Sequence, residues 1–252
     1  MFTEEKLDKY IKVTIGLIIA AVLFSGYVYF YNYKQPSIGR ATIAEQEIEE
    51  LQKKVKKKPR DASARFYLAR AYLKNEQHDL AIAEMKEVLK INKKNQNAVY
   101  FLGVVYKLKG KNSYDLAKKR FEEVIKLTDK KQYAGINANL KGSLYFMGEM
   151  LLDEKKYKKA LDFFDRSSKI GNVDADALRN MGRAYVGLKK YKDGEKYLKD
   201  AIRFVPNYAE AHYELGKVYQ TQGKNSEAKK SYQKAIKYKS DYKQAKEALE
   251  SL

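Results

Sequence analysis

The chain has 252 residues, 51 Lys and Arg against 32 Asp and Glu, a formal net charge of +19, two His and no Cys. Without Cys it has neither a disulfide framework nor a thiolate metal site. The positive balance admits acidic proteins, anionic lipid or nucleic acid as partners, but an excess made mostly of Lys, beside 22 Tyr and no Trp, reads first as compositional bias on solvated faces.

Met1–Lys12 is a short polar tail of mixed charge. No charged residue occurs from Val13 to Tyr33, and Val13–Tyr31 is expected to form a single transmembrane helix. Its apolar heart, Val13–Phe30, would rise about 27 Å, close to the roughly 30 Å hydrocarbon core of a bilayer. Tyr10 precedes it and Tyr27, Tyr29, Tyr31 and Tyr33 crowd its far end, as interfacial tyrosines do. The run is long for the apolar part of a secretory signal, and Leu23-Phe24-Ser25-Gly26 lacks the small-residue cleavage pattern, so an uncleaved anchor is expected. Lys6, Lys9 and Lys12 before the span, against Lys34 and Arg40 after it, place the N-terminus in the cytoplasm and the rest of the chain across an inner membrane, in the periplasm. The cytoplasmic face is the alternative.

Residues 32–61 hold a linker, Gln35–Gly39, and an amphipathic helix expected over Ala41–Lys58 and stopped by Pro59. Ile43, Ala44, Ile48, Leu51 and Val55 share one face. That stripe can pack on the following element as a cap. Positions 44, 48, 51 and 55 also fit the alternating spacing of a short homodimer seam. The run Lys53-Lys54-Val55-Lys56-Lys57-Lys58 suits a helix C-terminus, with contact to anionic lipid headgroups as a second reading.

A repeating pattern fills residues 62–252. Gly148, Gly182 and Gly216 stand 34 residues apart, and so do Ala69 and Gly103. The unit near 209–242 carries His212, Leu215, Gly216, Tyr219, Ala228, Tyr232 and Ala235. The unit near 175–208 has Leu178, Met181, Gly182, Tyr185, Gly194, Leu198, Ala201 and Pro206. Near 141–174 the series is Leu144, Met147, Gly148, Leu151, Ala160 and Phe164; near 96–131, Val99, Leu102, Gly103, Tyr106, Ala117 and Phe121; near 62–95, Arg65, Leu68, Ala69, Tyr72, Ala81 and Met85. This pattern resembles the tetratricopeptide repeat (TPR) family, whose period is 34 residues. The missing Trp and the lone Pro206 depart from the family pattern. The resemblance implies an all-α TPR solenoid of about five helix-turn-helix repeats. Asn112 and Ser113 lengthen one turn, and nine more residues between Asp129 and Lys141 stretch the interval from Gly103 to Gly148 to 45, so two blocks are expected, repeats one to two and three to five. Asp61 is expected to cap the first repeat. Ser240 and Asp241 are expected to cap a final helix over 242–252, whose Tyr242, Ala245, Leu249 and Leu252 would cover the end of the stack.

Catalytic constellations are absent: His212 falls at a core position of its repeat, His78 in a turn, and no phosphate-cradling or nucleophile-elbow motif occurs. No enzyme activity, cofactor or metal is expected. In the family the first helix of each repeat lines a concave groove, and the inward position there holds Phe66, Tyr100, Tyr145, Arg179 and Tyr213. One helical turn on stand Arg70, Val104, Glu149, Arg183 and Lys217. An aromatic ladder flanked by mostly basic groups suits a protein or peptide partner, above all an acidic one. The family's carboxylate clamp for chaperone tails is not matched, since Phe66, Tyr100, Glu210 and Glu214 stand in or near its places. A tail, one span and a repeat array look like inner-membrane TPR proteins such as the ancillary subunit of the secretory translocon. The expected function is therefore a membrane-anchored scaffold in envelope assembly or secretion, with no nucleic acid bound. The alternative is a binder of anionic surfaces, nucleic acid or lipid headgroups, through the Lys excess.

Overall fold

The computed structural model describes residues 43–128, 137–171 and 174–252. The expected tail, the span Val13–Tyr31 and the linker lie outside them, and among the described residues no helix is long and apolar enough to cross a membrane. The chain divides into two units, Met1–Glu50 and Leu51–Leu252. The described residues of the first unit begin helix α1, Ile43–Lys57, and those of the second end it.

The second unit continues as five helix pairs and a last helix. They are α2 (Ala62–Lys74) with α3 (His78–Ile91), α4 (Gln96–Leu108) with α5 (Tyr114–Thr128), α6 (Ala138–Asp153) with α7 (Tyr157–Ser168), α8 (Ala175–Gly187) with α9 (Tyr191–Phe204), α10 (Ala209–Thr221) with α11 (Asn225–Tyr238), and α12 (Lys243–Glu250). Within each pair the two helices pack on one another, and each second helix packs on the next first helix. The described residues thus form an all-α TPR solenoid of twelve helices with no strand.

Local chemistry explains where the helices start and stop. The side chains of Asp61, Asn95, Asn137 and Asp174 accept the backbone N–H of Ala64, Ala98, Leu140 and Ala177. Each such cap contributes about 1 kcal/mol. The expected Ser240 and Asp241 cap is not formed: α12 starts after Tyr242, with no side-chain cap bond. Tyr242, at the N-cap, packs its ring on Tyr213, centroids 5.1 Å apart. Ala245 is buried beneath α12, while Leu252 stays 37% exposed.

Four of the turns inside the pairs close alike. Glu76, Lys155, Lys189 and Gly223 adopt φ of 58°, 59°, 59° and 73°. Beside each, backbone N–H groups reach back to the carbonyls of the helix end, as from Lys156 to Leu151 and from Lys190 to Tyr185. In the second pair the extra residues form a 3-10 turn, Lys111–Ser113, after Gly110 at φ 95°.

Small residues in the first helices let the pairs close. A Cβ on Gly103 would lie 2.5 Å from the Phe121 ring, and one on Gly148 would lie 2.6 Å from Phe164. In the first pair Ala69 stands at this position, and the residue at the ring's position in the repeat is the buried, pliable Met85.

The insertion before α6 does not open the stack into two blocks. Asn137 donates to Gln96 at 3.1 Å and Asn139 to Asn97 at 2.6 Å. Phe146 stacks on Tyr100 and Phe121, with centroids 6.4 and 5.6 Å away. The added residues lengthen α6 to 16 residues, against 13 in the other first helices, and leave its packing register intact.

Candidate groove across the first helices

Helices α2, α4, α6, α8 and α10 carry the ten expected groove residues, two on each. Phe66, Tyr100, Tyr145 and Tyr213 are half-buried rather than free-standing. Tyr145 leans on Phe164 of its own pair, centroids 5.9 Å apart, and Tyr213 on Tyr232 at 5.9 Å. Much of each ring's area is therefore spent on holding the pair together, and one edge is left toward the groove. Val104 and Glu149 are half-buried; Arg70 and Lys217 are exposed.

The polar members form a connected line across four repeats. Lys107 pairs with Glu149 at 2.7 Å and lies 4.6 Å from the Phe146 centroid. The Tyr145 hydroxyl donates to Glu149 at 3.1 Å. The Asn180 amide donates to the Tyr145 oxygen at 3.0 Å, and Asn180 Oδ1 accepts from Arg183 at 3.2 Å. Arg183 reaches Glu214 at 3.4 Å, and Lys217 reaches the same carboxylate at 3.0 Å. Burial first, and then the Glu149 charge, push the Tyr145 hydroxyl well above the usual phenol range, so it stays a donor. Arg179 lies over the Tyr208 ring, 5.3 Å from its centroid, with Asp176 at 3.9 Å. Its Nε is buried and has no acceptor among the described residues.

Of the cations expected on the flank, Arg183 and Lys217 each have a carboxylate within 4 Å, as do Lys107 and Arg179 beside them, while Arg70 is exposed. An incoming carboxylate must compete with Glu214 for Arg183. Lys107, Phe146 and Asn180 are not among the expected groove residues, and Glu214 enters the sequence reading only as a mismatch to the clamp. The position directly after the inward one, which holds Tyr67, Phe101, Phe146, Asn180 and Glu214, was the available signal. One step along a helix turns a side chain about 100°, from the groove toward the neighbouring helix.

Several hollows compete with the groove. One, about 720 Å³, is a shelf on the outer face of α5 lined by charged side chains such as Lys118, Glu122 and Lys126. A second, about 310 Å³, lies between α9 and α11 over His212, with Lys199, Lys230 and Lys234 around it. His212 Nε2 sits 3.0 Å from the Pro206 carbonyl, and burial lowers its pKa. A third, about 250 Å³, opens on the first helices beside Gly142, Tyr145, Asp174 and Asp176. Among the described residues no group of acidic, His or Cys side chains could hold a metal ion.

Residues 42–132 match one sequence profile of the tetratricopeptide repeat and residues 209–242 match another. No curated protein matches the chain. Several solved structures are similar in fold. YrrB, a TPR protein with an unusual peptide-binding site, is 22% identical over 81% of this chain and 100% of its own, with a TM-score of 0.60. MamA from Desulfovibrio magneticus RS-1, residues 41 to the end, is 21% identical over 72% of this chain and 97% of its own, at 0.61. PilW, a type IV pilus biogenesis factor, is 18% identical over 75% of this chain and 86% of its own, at 0.63. Profile, helix pairing and fold agree that the chain carries tetratricopeptide repeats stacked as a solenoid.

Proposed function

We propose that the chain is a membrane-anchored TPR scaffold that grips a polypeptide partner along the face of α2, α4, α6, α8 and α10. The observation that carries the reading is the line from Lys107 to Lys217, with half-buried rings beside it and a buried Arg179 Nε that has no acceptor among the described residues. Preorganised donors and rigid aromatic edges bind a peptide at low entropic cost. Because the cations of this line are already paired, the ligand this face suits best is one of mixed polarity that completes the network, rather than a run of acids. The apolar span Val13–Tyr31 supports an inner-membrane anchor with the repeats in the periplasm, and the Lys run at 53–58 supports headgroup contact beside it. A tethered scaffold concentrates its partner at the bilayer. A role in envelope assembly or secretion accords with PilW, a pilus biogenesis factor of similar fold.

The reading is tested by placing a photo-crosslinking residue at Lys217 in living cells. One adduct should form, and Arg183→Glu should reduce it about tenfold or more. The full chain should also resist alkaline extraction from membranes and be digested by protease added to spheroplasts. Extraction into the soluble fraction, or an adduct indifferent to Arg183→Glu, would overturn the tether or the groove respectively.

A further inference from the structure

One position on the first helix of a repeat and one on the second come together within the pair. In the first pair they hold Arg65 and Glu84, which bond at 2.6 Å. In the fourth they hold Leu178 and Tyr197, and Tyr197 packs on the buried cluster that includes Leu178. The second and third pairs also put a large side chain on the second helix, Arg120 and Phe163. The fifth pair departs from the pattern with His212 and Ser231. The short Ser231 hydroxyl turns back to donate to the Glu227 carbonyl at 2.9 Å. The space that a ring fills in the fourth pair is here the hollow of about 310 Å³ between α9 and α11, which His212 and Ser231 both line.

The walls of this hollow divide by chemistry. Ile202, Leu215 and Tyr219 supply an apolar side. Lys230 and Lys234 supply a cationic side, one helical turn apart on α11. The Lys234 position is acidic in three of the other second helices, where Glu87, Glu123 and Asp200 each pair with a cation of their own helix. Here its sign is reversed, and neither Lys230 nor Lys234 forms an ion pair among the described residues. Lys199, on the α9 side, is already held by Glu195 at 2.7 Å. Glu227 stands on the rim as the opposing charge, but α11 as a whole carries four Lys against one Glu. The floor is rigid: His212 is 4% exposed, its Nε2 lies 3.0 Å from the Pro206 carbonyl, and its ring stacks on Tyr238 with centroids 5.5 Å apart.

We propose that this hollow is a second binding site, separate from the groove, for a small soluble phosphate monoester with an apolar body. The volume lies at the lower end for small-molecule sites and suits one compact ligand rather than a length of chain. A phosphate monoester carries a charge of about −1.5 to −2 at neutral pH and three strong acceptor oxygens. That charge matches the two unpaired ammonium groups of Lys230 and Lys234, whereas a single carboxylate leaves one of them uncompensated. Lys meets phosphate as a point charge and needs no planar fork. The apolar body takes the place of the missing ring, against Ile202 and Leu215, so the ligand completes the packing that Tyr197 completes in the fourth pair.

The two His residues provide the readout. The imidazole NMR spectrum of the full chain holds one signal from the hollow and one from His78, at the start of α3. In mild detergent at about pH 8 phenyl phosphate is a dianion, and His212 is neutral because burial lowers its pKa. Phenyl phosphate should shift the His212 signal saturably and leave His78 in place. Phenol and inorganic phosphate each lack one half of the ligand and should bind about tenfold more weakly or worse. Lys230→Gln with Lys234→Gln, both at exposed positions, should weaken phenyl phosphate about tenfold, and Glu227→Gln should tighten it. Ser231→Tyr, which restores the residue of the fourth pair, should fill the hollow and abolish the shift; the exposed Lys pair tests the site should that variant fold poorly. Absence of a saturable shift would overturn the proposal. So would equal shifts at both His, which mark loose binding to surface Lys, or inorganic phosphate binding as tightly as phenyl phosphate. A His212 shift in phosphatidic acid nanodiscs, with none from phenyl phosphate, would overturn it in favour of a lipid headgroup.

Discussion

At the scale of single residues, the tightest constraint is the approach of Gly103 to Phe121. Glycine faces a ring in three repeats and Leu198 in a fourth, while in the first repeat Ala69 holds the glycine's position and Met85 that of the ring. Gly103→Ala should cost about 1–3 kcal/mol by overpacking. In a Phe121→Met background the same change should cost clearly less, a coupling of roughly 1 kcal/mol by urea unfolding of the double-mutant cycle. Asn180 is fully buried and joins Tyr145 to Arg183. Asn180→Leu should cost about 1–3 kcal/mol, because it leaves those groups short of partners. His212 gives a pH signature. Burial, and then the Lys234 charge, hold its pKa below the ordinary 6.5 in the folded state, against the opposing pull of the Pro206 carbonyl. The unfolded chain then binds this proton more readily, so stability is full above about pH 6.5 and falls as pH drops toward the folded value. Melting temperature should decline over that window in the native chain, and the slope should flatten in His212→Phe.

At the scale of elements, what the sequence shows depends on range. The period, the cap Asp61 and the turn insertion at Asn112 are local features, and the helices follow them. The start of α12 is not where a local reading puts it: a polar pair at 240–241 looks like a cap, but the helix starts after Tyr242, whose ring packs on Tyr213. The same holds for the groove. The inward aromatics are found by counting, yet the half-burial of Tyr145 against Phe164 and of Tyr213 against Tyr232, and the pairing of Arg183 with Glu214, depend on neighbouring helices. Charge counting along one helix sees cations and misses carboxylates supplied one residue later on the next. Tyr242→Ala should therefore loosen α12 by removing its anchor, seen as faster amide exchange in Lys243–Glu250 with little change in α2 and α3.

At the scale of the whole molecule, each helix pair packs on its sequence neighbours, so stability is close to a sum of local terms. Binding energy should spread the same way, over several repeats rather than one pocket, and the 720 Å³ hollow on the outer face of α5 should be silent. The central claim is that a polypeptide is gripped along the first helices. The most direct test is a photo-crosslinking scan in cells that compares the exposed groove positions Arg70 and Lys217 with the exposed second-helix positions Lys196 and Lys229. The account predicts one partner captured from both groove positions and from neither outer one; capture from Lys196 and Lys229 with none from Arg70 and Lys217 would contradict it.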